Sequence, residues 1–102
     1  MVSRIKITVL KRFSPSEVFE TSPVTPMVLR DACEIVKDGQ EFIVGEDIKM
    51  PHGFCTSAWH TIYSNVRTLA FGADIPWYRE KGVAINCCSD GLRPVIFKLE
   101  RI

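Results

Sequence analysis

No stretch of this sequence stays apolar for the roughly 20 residues that a membrane-crossing helix takes. The opening MVSRIKITVLKRF is broken by Arg4, Lys6, Lys11 and Arg12, so it has no continuous apolar segment of the signal-peptide kind. A surplus of charge is missing as well. Thirteen Lys and Arg against twelve Asp and Glu leave a formal charge of +1. That is too little for a surface that tracks phosphates, so no nucleic-acid partner is expected. Internal repeats and low-complexity segments are absent. So are a Walker loop, a dinucleotide-binding glycine fingerprint, an HExxH motif and a CxxC pair. The chain has 102 residues, 46% hydrophobic and 25% charged, the size and balance of one globular domain spanning 1–102. A cytoplasmic location without membrane attachment is expected, where thiols stay reduced. Four cysteines then read as buried apolar residues, metal ligands or redox thiols rather than as a disulfide framework.

The pattern predicts six segments. In 4–12, Ile5, Ile7 and Val9 alternate with Arg4, Lys6 and Thr8, a half-buried strand with a basic outer face. Residues 13–26 carry three prolines and read as loop, with a short helical turn capped by Ser14 or Ser16. Residues 27–36 have weak helical spacing, Gly39 marks a turn, and 41–44 form a short strand. The clearest element is a helix over 56–71. Thr56 and Ser57 serve as caps, and Ala58, Trp59, Ile62, Val66, Leu69 and Ala70 form one stripe widened by Tyr63 and Phe71. Gly72 ends it. Trp77 is expected to fold back and cap the core. VAINCC at 83–88 and LRPVIFKLERI at 92–102 read as strands joined by a tight Ser-Asp-Gly turn. Pro94 places part of the last strand at an edge or a bulge. The class is therefore α+β: a small antiparallel sheet, its first and last strands paired, packed on the one main helix, with a C-terminal β-hairpin.

The stretches KITVLKR, DGQEFIV, GFCTSAWHTIY, LAFGADIPW, KGVAINCC and SDGLRPVIFKLERI resemble those of a group of small prokaryotic proteins of about this length. No activity is established for the group, so the resemblance implies no mechanism. It implies only that Cys55, Trp59, Gly72, Pro76, Trp77, Cys87, Cys88, Asp90, Gly91, Arg93 and Pro94 match the pattern. Two positions depart from it. Only Cys33 stands where the group has a cysteine-richer segment, and His52 stands where it tends to have Glu.

Chemistry would have to come from the cysteines. Cys55 precedes the main helix, whose positive end favours a thiolate; its bland role is core packing under Phe54. Cys87 and Cys88 are adjacent, so on a regular strand one faces the core and the other does not. Arg93 follows closely and would stabilise a thiolate or hold an anion, against the plainer role of a salt bridge with Asp74, Glu80 or Asp90. A metal centre would need Cys33, Cys55, Cys87 and Cys88 to converge, with His52 and His60 as extras, and would hold zinc or an iron–sulfur cluster. Two readings follow. The first is a non-catalytic binding or interaction module, homodimeric in one version. The alternative is a thiol-based metal-binding or redox protein using Cys55, Cys87 and Cys88 with Arg93. A small enzyme with Cys55 as nucleophile is a third, and enzymatic activity is left open.

Overall fold

The computed structural model describes residues 2–102. Its elements in chain order are β1 (Ile5–Arg12), α1 (Pro15–Val18), β2 (Glu41–Val44), α2 (Thr56–Ala70), β3 (Val83–Cys87) and β4 (Val95–Arg101). The strands form one antiparallel sheet in the order β2-β1-β4-β3. This is the α+β architecture the periodicity predicts, with the closing hairpin, and in it the first and last strands are neighbours, a pairing that periodicity by itself does not dictate. No helix among the described residues is long and apolar enough to cross a membrane.

Alternation along the strands decides what the sheet buries. Ile5, Ile7 and Val9 of β1, Phe42 and Val44 of β2, Ala84 of β3, and Val95, Phe97 and Leu99 of β4 all face one side and are buried. Helix α2 covers that side with Ala58, Trp59, Ile62, Val66, Leu69 and Ala70. Phe54, just before the helix, stacks edge-on to Phe42 at 5.0 Å and tilted on Phe97 at 5.3 Å. The opposite side of the sheet is solvated. There Lys6 bridges Glu41 and Glu100, and Lys98 reaches Glu100. Such exposed pairs contribute little stability.

The helix stops as the Phe-Gly sequence demands. Gly72 has φ +92°, its N–H donates to the Leu69 carbonyl, and the Ala73 N–H donates to that of Thr68. These two bonds close a Schellman motif, which needs a residue able to adopt positive φ. Arg101 completes the end: Nη1 donates to the carbonyls of Leu69 and Ala73, and Nη2 pairs with Asp74 at 2.8 Å.

Several local readings are corrected. Residues 27–36 form no helix; Val36 is buried there, but Met27, Val28, Leu29 and Ile35 are exposed, so no apolar stripe was available to fold against the core. The helix cap is Cys55, not Thr56 or Ser57. Tyr63 and Phe71 lie outside the buried stripe; Phe71 is open to solvent beneath the Arg67 guanidinium. Trp77 does not cap the core. It is 78% exposed, and Ile75 is buried in its place. The β3–β4 connection is no tight turn: the ladder ends with the Cys88 N–H donating to Val95 O, and six residues intervene. Gly91 does not take positive φ, because Asp90 forms the turn instead by accepting from the Leu92 and Arg93 N–H groups. Pro94 lies outside β4, which is a central strand, so the missing N–H takes nothing from the ladder.

A β-bulge breaks the register of β1 between Val9 and Lys11. Val9 lies opposite Phe97 and Lys11 opposite Ile96, so Leu10 is the extra residue. The side-chain alternation shifts by one, and Arg12, opposite buried Val95, turns to the helix side of the sheet.

Candidate functional site: a thiol-lined cavity at the start of the main helix

A cavity of about 300 Å³ opens where three distant segments meet. Its apolar floor is Val36, Ala58, Val95 and Phe97; Cys33, Cys55 and Cys88 bring three thiols to it, and Ser57, Asp90 and Arg93 are polar. A wider hollow of about 470 Å³ lies at the 14–34 loop, but none of its lining residues is buried. It is a surface depression, whereas the thiol cavity is built on core side chains.

Each wall has a local cause. Cys55 sits in extended geometry (φ −81°, ψ 125°) so that its carbonyl can accept the first helical bond, from Trp59 N–H at 2.9 Å. Its sulfur makes no capping hydrogen bond. Cys88 follows β3 and packs against the core. Its Sγ accepts the Val95 N–H at 3.3 Å and lies 3.9 Å from the Asp90 carbonyl oxygen. Here sulfur stands in for the backbone acceptor that the end of the ladder leaves off. Cys33 is half-buried against the same core.

The outer wall, residues 31–38, has no secondary structure of its own and is held by two arginines. Arg93 Nε donates to the Asp31 carbonyl at 2.6 Å and Nη2 to that of Ala32 at 2.8 Å. Arg12, turned inward by the bulge, donates from Nη1 to the carbonyls of Cys33 (2.8 Å) and Val36 (3.2 Å), while Nε pairs with Asp38 at 3.0 Å. The planar fork of a guanidinium suits two adjacent carbonyls in a way a lysine cannot match. The expected salt bridge of Arg93 to Asp74, Glu80 or Asp90 is therefore not made: backbone oxygens of the 31–32 segment take its donors, and Asp74 is committed to Arg101.

The expected thiols divide. Cys33, Cys55 and Cys88 share the cavity with Arg93, whereas Cys87 does not line it. Alternation along β3 groups Cys87 with Val83 and Ile85, opposite the buried Ala84. Burial pushes the Cys87 thiol up from its ordinary value, and the adjacent Cys88 adds to the effect. The four cysteines do not gather into a coordination set: among the described residues no group of three or more His, Cys, Asp or Glu is placed to hold a metal ion. A zinc or iron–sulfur centre on Cys33, Cys55, Cys87 and Cys88 does not fit this geometry, since Cys87 stands apart from the cavity that the other three line. All four thiols are free. His52 and His60 are exposed and outside the cavity. Ser57 and Ala58 at the helix start went unrecognised in the sequence as lining residues, as did Arg12 as a support. The position of Ser57 and Ala58 directly after Cys55 was the available signal for the first two; nothing in the sequence marks the bulge that redirects Arg12.

The chain was compared with protein-family models, curated proteins and solved structures, and none matches it; kinship with the group of small prokaryotic proteins is proposed on the sequence motifs alone.

Proposed function

We propose that this protein is a small non-catalytic binding module whose ligand enters the thiol-lined cavity. One observation carries the reading: Cys33, Cys55 and the Cys88–Arg93 stretch, remote from one another along the chain, line a single cavity with an apolar floor. A volume near 300 Å³ is at the lower end for small-molecule sites. Such a site takes a compact, largely apolar ligand with one polar end, the floor receiving the apolar part and the three thiols, Ser57 and Asp90 meeting the polar part. The guanidinium of Arg93 commits two of its donors to the wall carbonyls and keeps its charge, which suits a ligand whose polar end is neutral or anionic.

The test is a ligand-observed NMR screen of the full chain with compact organic molecules, read together with alkylation of each cysteine by iodoacetamide. Bound molecules should slow alkylation of Cys55 and Cys88, leave Cys87 unchanged, and lose binding in Ser57→Trp, which blocks the rim at an exposed position. Molecules that bind Ser57→Trp equally well would place the site elsewhere and end this reading.

A redox role is the second reading, supported by the presence of three free thiols around one space. Hydrogen peroxide would oxidise two of them to a disulfide, taking one hydrogen from each and leaving water. Intact mass and peptide mapping should then show the loss of two hydrogens and a link among Cys33, Cys55 and Cys88. Oxidation confined to Cys87 would rule it out.

A further inference from the structure

We infer that β3 is a dimerisation edge, and that two copies of this chain join their sheets through antiparallel pairing of β3 centred on Ile85. The inference is independent of the cavity. It starts from the hydrogen-bond parity of the β3–β4 ladder. The Cys88 N–H donates to Val95 O at 3.0 Å, and the Arg101 N–H donates to Gly82 O at 2.8 Å. Both bonds join directly opposed residues in one unbroken register, in which Ala84 faces Leu99 and Asn86 faces Phe97. In an antiparallel ladder the bonded pairs fall on every second residue. Gly82, Ala84, Asn86 and Cys88 therefore direct their main-chain groups toward β4. Val83, Ile85 and Cys87 direct theirs to the free side of the strand, where β3 ends the sheet. Among the described residues no backbone or side-chain group hydrogen-bonds to those three N–H and three C=O groups. Water can satisfy them, and so can another strand.

The occupant that fits is a second copy. A two-fold axis through Ile85 pairs Ile85 with itself and Val83 of each copy with Cys87 of the other. All three residues already point their main-chain groups outward, so the pairing closes six hydrogen bonds with no orphan between them. The strand VAINC carries no charge, so no like charges meet across the axis. The outer-face trio of Val83, Ile85 and Cys87 lines up with its own image, and Ile85, 44% exposed in one copy, gains an apolar neighbour. The other edge does not offer this. The Val9 N–H donates to Gln40 O and the Gly39 N–H to Val9 O. The same parity then leaves only Glu41 and Ile43 of β2 facing outward, and Glu41 is charged and engaged by Lys6. Natural sheets blunt an exposed edge with charge, proline or brevity. β2 is blunted in this way, and β3 has no such device.

The experiment is sedimentation equilibrium of the full chain with Ile85→Lys and Ile43→Lys, followed by amide hydrogen exchange resolved by NMR. The parent should sediment at twice 11.6 kDa. Ile85→Lys, which sets two cations against each other at the axis, should return it to the single-chain mass. Ile43→Lys, the same change at a similarly exposed site of the same sheet face, should leave the dimer intact. In the dimer the amides of Val83, Ile85 and Cys87 should exchange at least about ten-fold more slowly than in Ile85→Lys, because only main-chain pairing protects them. A parent that stays monomeric at about 1 mM overturns the inference. So does a dimer that survives Ile85→Lys, or one in which those three amides stay unprotected.

Discussion

Arg93→Met tests whether the cavity wall is held by the guanidinium clamp. The methionine keeps the apolar stem and removes the two donors to the Asp31 and Ala32 carbonyls, at 2.6 and 2.8 Å. A hydrogen bond from a charged donor contributes about 1.5–3 kcal/mol when well shielded. These two are partly open to water, which solvates the freed carbonyls, so about 2 kcal/mol for the pair is the reasonable figure. The wall remains tethered at its far end by Arg12 and buried Val36, so the loss falls on local opening of the wall around residues 31–33 rather than on the whole fold. About 2 kcal/mol corresponds to a roughly 30-fold larger open population. Iodoacetamide alkylation followed by peptide mass spectrometry reads this directly. When closing outpaces alkylation, the rate follows the open population. The Cys33 rate, normalised to Cys87 in the same molecule, should rise by about 30-fold in Arg93→Met and by an intermediate factor in Arg93→Lys, which keeps charge without the fork. Urea unfolding of the variants confirms that they remain folded. A normalised Cys33 rate within about two-fold of the parent would refute the clamp.

Leu69→Ala, at a position fully buried beneath the sheet, should cost about 3 kcal/mol in urea unfolding; a loss under about 1 kcal/mol would mean that the helix packs more loosely than described. Gly72→Ala should cost roughly 1 kcal/mol, because the Cβ meets no neighbour but φ is +92°; an unchanged midpoint would contradict the Schellman geometry. The Arg101 side chain first, and the Gly82 N–H second, hold the Asp74 carboxyl below its ordinary range. The stabilisation is therefore present above that range and fades as pH falls through the lowered value. Asp74→Asn should be less stable than the parent near neutrality, with the gap narrowing below about pH 4; a gap that does not change with pH would assign the effect to something other than ionisation.

Strands with clean alternation were legible, because Ile5, Ile7 and Val9 or Val95, Phe97 and Leu99 can serve only one buried side. The main helix was legible for the same reason at a period of 3.6. The 27–36 segment misled because Ala32, Ile35 and Val36 happen to fall near helical spacing, while burial uses only Val36 fully. The Ser-Asp-Gly sequence suits a tight hairpin, but a carboxylate that accepts from two amides can build a wider turn without positive φ. Trp77 misled by size: a large ring is no guarantee of burial when a neighbour such as Ile75 already fills the space. For the site, the adjacency of Cys55 to the helix start was visible. Its meeting with Cys33 and Cys88 depends on strand order and on two arginines reaching main-chain carbonyls, and carbonyls leave no trace in a sequence. The separation of Cys87 from Cys88 followed from strand periodicity, although that periodicity did not say which of the two turned inward.

The extra residue in the first strand reaches further than its own kink. Were Leu10 paired in an even pleat instead of standing extra, the guanidinium of Arg12 would fall on the solvent side, and the stretch around Cys33 would lose an anchor without any change in its own letters. The shape of the hollow is thus written partly in the register of the neighbouring first strand, so a shift of that register should matter as much as substitutions at the sulfur-bearing positions.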